Sequence, residues 1–430
     1  MLDIGQINDK LSRALNERDY VRRLDKIASS NSPELREFAK LQLTENNFLS
    51  KMADDDDWTM RYFVAKLRFT PPYMLAELGR DENLAVSLAI ASNEKTPEYA
   101  LELLENNKNT AIKYALVLNY ESPYDGLDDS DENINIPMWL AEEFHMFNEL
   151  KEIVIELQNG EIDDDDAEEQ KYINGVARNH IYALTMLEES GDEDIQQWAS
   201  AVKKSILEAE GEGPAFDEDG FIGDLVHAET ELEYHNVLKK MKTHEDSGVR
   251  SLYSAKIAEL RFLERFAASE DWNMRYFIAS FANTPTHILT KLSYDSKLEV
   301  LLAVASNPRT SDHALKHLAK NDELGILYAV LLNPNVPDEI IDEKAKGDVN
   351  LPFLLTLFIR DFGKFDVFRT FMNAPEFADN KTPMSDLVDE CYNSLLDTLK
   401  RLQNYDDPDV KEWAKIHKHT VQLIRIIDEE

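Results

Sequence analysis

Trp58-Thr59-Met60-Arg61-Tyr62-Phe63-Val64-Ala65 returns, at a numbering offset of 214, as Trp272-Asn273-Met274-Arg275-Tyr276-Phe277-Ile278-Ala279. Leu84 to Asn93 returns at the same offset as Leu298 to Asn307, and 30 of the 67 positions from 57 to 123 are identical in the copy without a gap. A repeat at half the chain length implies two homologous domains.

A shorter period lies inside each half. Thr70-Pro71, Thr96-Pro97 and Ser122-Pro123 recur at a spacing of 26, as do Thr284-Pro285, Thr310-Ser311 and Val336-Pro337. Apolar columns follow it, among them Met60, Val86 and Ile112, and Tyr62, Leu88 and Tyr114. A unit this small cannot bury its apolar face alone, so neighbours must stack. Within one unit, Leu298, Leu301, Leu302 and Ala305 recur at helical spacing and predict a short amphipathic helix. Asn307-Pro308 ends it, because the residue before a proline avoids the α region. Thr310 is positioned to cap a second, shorter helix through Ala314, Leu315 and Leu318.

This pattern, carried by Val300 to Asn307, Thr310, Ala314 to Leu318 and their counterparts, resembles the leucine-rich repeat variant family, a relative of the HEAT and armadillo solenoids. The resemblance implies α-helices alternating with short 3₁₀ helices in a right-handed superhelix. Some members carry a cysteine-bound iron–sulfur cluster. This chain has only Cys391 and cannot build one. The predicted fold is all-α, an α-solenoid of two tandem homologous superhelical domains. These span 1–212 (repeats about 57–127) and 220–430 (repeats about 271–343), with a Gly-rich linker over 208–223. On this division 220–430 contains a complete stack and folds alone, which circular dichroism of the isolated half measures. Glu121 to Asn135 and Asn159 to Glu169 read as acidic loops.

The chain of 430 residues has a net charge of −37. Residues 101–214 hold 28 acids against 7 bases. Such a surface repels phosphate backbones and attracts basic proteins. The basic clusters Arg18, Arg22, Arg23 and Lys26, and Lys239, Lys240 and Lys242, are small beside it. This disfavours the duplex-binding DNA-repair enzymes found among HEAT-like solenoids. No apolar run is long enough for a membrane span, and no signal segment opens the sequence, so the expected location is cytoplasmic.

The candidate chemistry is sparse. Trp58, Arg61 and Tyr62, with Trp272, Arg275 and Tyr276, form a protein-recognition patch used twice, or else structural packing in which Asp57–Arg61 and Asp271–Arg275 pair at i,i+4. His313 and His317 share a helix face but lack a third ligand near in sequence, and His417 and His419 face apart. Asp54–Asp57 and Asp163–Asp166 lack the alternation and glycine of a calcium loop. Cys391 reads as a buried structural thiol with no histidine nearby to activate it. There is no Gly-rich phosphate loop and no nucleophile elbow. No metal or cofactor is expected. The reading is a non-catalytic scaffold or adaptor whose acidic curved surfaces bind a basic protein. The alternative is an inhibitor that mimics nucleic acid and occupies a basic cleft.

Overall fold

The computed structural model describes residues 4–119, 140, 180–181, 183–208, 221–244, 247–347, 349–373 and 381–429. The loops expected at 121–135 and 159–169, the Asp163–Asp166 run and most of the 208–223 linker lie outside them. Helices make up most of the described residues, with no strand among them.

In chain order the helices are α1 (Ile4–Ser12), α2 (Glu17–Ala28), α3 (Pro33–Ala53), α4 (Trp58–Lys66), α5 (Pro72–Leu78), α6 (Leu84–Ala91), α7 (Glu98–Glu105) and α8 (Thr110–Val117). Beyond the undescribed stretch come α9 (Glu193–Glu208), α10 (Phe221–His227), α11 (Glu231–Lys242), α12 (Ser247–Ala267), α13 (Trp272–Ser280) and α14 (Thr286–Leu292). The chain continues with α15 (Leu298–Ser306), α16 (Asp312–Leu318), α17 (Leu324–Leu332), α18 (Asp338–Lys344), α19 (Leu351–Asn373), α20 (Lys381–Gln403) and α21 (Pro408–Glu429). The shorter partner in each repeat (α5, α7, α14, α16 and α18) is an α-helix of seven or eight residues, not a 3₁₀ turn.

Helices this short leave almost as many unbonded backbone groups as they have residues. Side chains at the repeat period supply the partners. Asp57, Asn83 and Asn109 stand one repeat apart in succession. Each accepts from the N–H two positions on at 2.9 Å, and they start α4, α6 and α8. Two positions earlier, the carboxylates of Asp55 and Asp81 and the amide of Asn107 accept from those same capping residues. Asp295 and Asn321 repeat the device before α15 and α17.

The other ends are closed by threonine. Thr70, Thr96, Thr284 and Thr310 are buried, and each donates Oγ1 to the carbonyl six positions back at 2.5–2.7 Å. Thr310 therefore ties off α15 and does not cap α16. That cap falls to Ser311, whose Oγ accepts from Ala314 N. Buried asparagines then link successive repeats. Asn93 Nδ2 donates to Ala65 O at 2.6 Å, and Asn307 Nδ2 donates to Ala279 O at 2.9 Å and Phe281 O at 3.1 Å.

α6 and α15 are not amphipathic. Ala85 to Ala91 and Val300 to Ala305 are buried without interruption, because helices cover them on all sides.

Contact density divides the chain into two compact units. The first combines Met1–Leu103 with Leu318–Glu430, and the second is the continuous segment Leu104–His317. This is not the expected division into 1–212 and 220–430. The boundaries fall inside α7 and α16, and an isolated 220–430 fragment holds part of each unit. The reason is visible in the packing. In the first unit, α4 packs on α6 and on α17, with Phe63 edge-on to Tyr328 at 5.3 Å. α3 packs on α21 in the same unit, and α19, α20 and α21 pack in succession. In the second unit, α13 packs on α15 and on α8, with Phe277 edge-on to Tyr114 at 5.2 Å, and α12 packs on α9. Each unit thus draws helices from both sequence halves.

Asn93→Ala and Asn307→Ala each strip a buried repeat of its tie to the preceding one. Each is expected to cost about 2 kcal/mol in urea-unfolding free energy, since carbonyls of the preceding repeat are left without a buried donor. A loss below about 0.5 kcal/mol would show that the ties are dispensable.

Candidate functional site

The cluster singled out by the sequence sits at the start of α4 and of α13. Arg61 does not pair with Asp57, whose carboxylate is used as the helix cap. It reaches instead across to the next repeat. Its Nε donates to Asp81 Oδ2 at 2.5 Å, its Nη2 donates to Asp81 Oδ1 at 3.2 Å, and its Nη1 donates to the carbonyls of Asp55 and Asp56. Arg275 does the same with Asp295 at 2.5 and 3.0 Å and with the carbonyls of Ser269 and Glu270. Bidentate geometry of this kind is what a guanidinium supplies and an ammonium does not.

Burial raises the Asp295 carboxyl, but the bonds from Arg275 and the Lys297 backbone outweigh it and hold it below the ordinary value. Tyr62 and Tyr276 are each 3% exposed and belong to the core. Trp58 lies edge-on to Tyr62 at 6.1 Å, and the Lys297 ammonium sits 5.4 Å from the Trp272 ring centre. Both tryptophans keep part of their surface open. The structure therefore joins each triplet, but as a clamp between repeats with one partly open tryptophan.

The histidines separate. His313 is exposed, while His317 stacks on Tyr294 at 3.9 Å. His417 packs among Trp413, Phe358 and Phe362, and burial pushes it down to about 4, whereas His419 is exposed. Among the described residues no group of three or more His, Cys, Asp or Glu side chains is arranged to hold a metal ion. Cys391 is partly exposed rather than buried, and desolvation raises its thiol. Among the described residues no helix is long and apolar enough to cross a membrane.

Sequence reasoning missed a buried polar cluster in the first unit. Glu45 of α3 is 5% exposed and accepts from Trp413 Nε1 of α21 at 2.9 Å. Burial raises its carboxyl to about 8, against the bonds from Trp413 and Gln42. Tyr20 donates to Gln42 at 2.9 Å, Tyr73 donates to Asn46, and the two tyrosine rings lie 5.3 Å apart. The second unit has Tyr234 against His287 at 5.4 Å, with the buried Glu259 bonded to Lys256 at 2.8 Å. Burial pushes His287 down to about 4. Tyr20, Glu45 and Phe48 recur as Tyr234, Glu259 and Phe262 in the flanks at the same offset, and that recurrence was the available signal.

No protein-family model matches this chain, and no curated protein matches it. The reading of the site rests on its geometry.

Removing the clamp cation tests its role. Arg61→Met or Arg275→Met leaves a mostly buried carboxylate facing no cation and is expected to cost about 3 kcal/mol by thermal or urea unfolding. The Asp295 part of that contribution is present above the unfolded carboxyl value and fades as pH falls through the lowered folded one.

Glu45 has the opposite sign. Folded Glu45 keeps its proton up to about 8 while the unfolded carboxyl loses it near 4.5, so rising pH favours unfolding across that window. His417 favours unfolding as pH falls from 6.5 towards about 4. The two offset each other between 4.5 and 6.5, and from 6.5 to 8 Glu45 dominates, with the Lys66 amine, which burial lowers to about 8, opposing it near the upper end. Over that last interval the first unit is expected to lose about 2 kcal/mol, a slope that Glu45→Gln removes. Unfolding midpoints at pH 6.5 and 8 check it.

Proposed function

We propose that this chain is a non-catalytic scaffold or adaptor that binds basic protein partners through acidic helical surfaces. The observation that carries it is how the cations are used. Arg61 and Arg275 are clamped by Asp81 and Asp295. Arg22 and Arg23 both turn to Asp19, so half of the first basic cluster is engaged by one carboxylate of its own helix. Lys51 binds Asp407 and Asp409, Lys203 binds Glu188, and Arg425 binds Asp389. Lys239, Lys240 and Lys242 close the last turn of α11, where they face the negative end of the helix dipole.

With so many cations answered from inside, a surplus of 37 negative charges remains for the surroundings. That surplus favours a partner with clustered Lys and Arg and speeds its encounter. Trp58 and Trp272, the partly open members of the two clamps, supply the aromatic anchors.

Affinity capture with the full chain at about 0.05 and 0.5 M salt tests the reading, because screening lengths shorten severalfold over that range. Basic proteins retained at low salt and weakened at high salt are the expected result, with retention reduced at least about fivefold by Trp58→Ala plus Trp272→Ala. Recovery of no basic protein overturns the reading. Displacement of the captured protein by duplex DNA would turn the assignment to a nucleic-acid mimic. Tight binding of duplex DNA by the chain itself would turn it to a DNA-repair solenoid.

A further inference from the structure

The first compact unit is assembled from two lengths of chain distant in sequence. α3 carries Glu45, Phe48 and Lys51 at successive three-residue steps, which places them along one side of the helix. α21 meets them with Asp407, which caps it, and with Asp409 and Trp413. Trp413 is fully buried. Its indole N–H binds Glu45 and its ring meets Phe48 edge-on at 5.6 Å. Lys51 reaches Asp407 at 2.6 Å and Asp409 at 3.1 Å.

The second unit repeats the arrangement with other helices. Trp198 of α9 lies edge-on to Phe262 of α12 at 5.7 Å, and Arg265 pairs with Asp192 and, at 3.1 Å, with Asp194. Glu259, Phe262 and Arg265 match Glu45, Phe48 and Lys51 at the repeat offset of 214. Asp192, Asp194 and Trp198 match Asp407, Asp409 and Trp413 at an offset of 215. Each half of the sequence therefore owns one receptor face and one helix that opens Asp-x-Asp-x-x-x-Trp. In both units the face of one half holds the helix of the other.

We propose that the two halves are mutual binding partners: residues 1–212 and 213–430 form a noncovalent pair held by these two docking faces, and the peptide bond between them is dispensable once the chain has folded. One difference between the faces favours the crossed pairing. Lys40 pairs with Glu412 in the first unit, and the matching positions in the second are Ser254 and Gln197. A half docked on its own helix would set Lys40 against Gln197 and leave Glu412 facing Ser254. The ion pair lost in that arrangement works against it, as repulsive or unpaired charge does in partner choice generally.

The test uses the full chain with a protease recognition sequence inserted between 212 and 213. The folded protein is cut in solution, and completion is read on a denaturing gel. The cut protein is expected to elute in size-exclusion chromatography with the intact chain, both fragments in equal amounts. Lys51→Asp combined with Arg265→Asp reverses two cations that are 55% and 47% exposed. It is expected to leave the uncut chain helical by circular dichroism and to raise the dissociation constant of the cut pair by about tenfold or more. Lys40→Gln, which removes only the pair with Glu412, is a milder arm expected to weaken the cut pair about threefold. Fragments that separate on cutting overturn the proposal. So does a cut pair whose dissociation is unchanged by all of these substitutions, since it would then be held by other surfaces.

Discussion

A helix of two or three turns that is buried on every side must find partners for nearly all of its backbone, and this requirement orders the rest of the molecule. Water is kept from most of α6 and α15, where Ala85 to Ala91 and Val300 to Ala305 are buried. The chain answers with a polar set at the repeat period: an Asp or Asn cap, a second acceptor two positions earlier, a threonine that closes the last turn, and an asparagine that reaches back to the previous repeat. The repeat period is thus the spacing of backbone partners as much as of apolar residues. The same positions then take on other work. Asp81 and Asp295 hold the loop N–H and also receive the guanidinium of Arg61 and Arg275, so local capping and repeat-to-repeat attachment share one carboxylate.

Stacking of this kind has open ends, and the longer helices at the flanks cover them. In the first unit α3 meets α21, and in the second α12 meets α9, each around a buried tryptophan. The carboxyl of Glu45 beside Trp413 is unfavourable to place in a core, and it is retained with one strong hydrogen bond. It does not by itself choose between alternative helix pairings, because Glu259 and Trp198 present the same groups. Here the alternative is concrete, because the chain carries two faces and two matching helices.

Charge follows the same division of labour. Many arginines and lysines are engaged by internal carboxylates, across repeats at Asp81 and Asp295 and between distant helices at Asp407 and Asp192. Pairing within the chain does not alter its net charge of −37. Many of the described cations thus serve the architecture.

Much of this was legible in the residues alone. Apolar periodicity, scarce glycine and proline and the columns at the repeat period determine short stacked helices, because such units have no other way to bury their faces. The pairing of Trp58, Arg61 and Tyr62 with Trp272, Arg275 and Tyr276 marked an important cluster without revealing its role. A neighbour at i,i+4 is readable from spacing, whereas Asp81, far along the chain in the next repeat, becomes a neighbour only after one repeat has folded onto the other. The polar columns at 55, 81 and 107 are equally present in the sequence, but a lone Asp or Asn there does not show which backbone N–H it accepts from. What the sequence did not contain was the choice of partner. Two nearly equivalent halves offer each α3-type face two acceptable helices, and a local pattern cannot distinguish them. Tertiary packing decided it, by setting Lys40 on Glu412 where the other half offers Ser254 and Gln197, so that the compact units cross the repeat instead of following it.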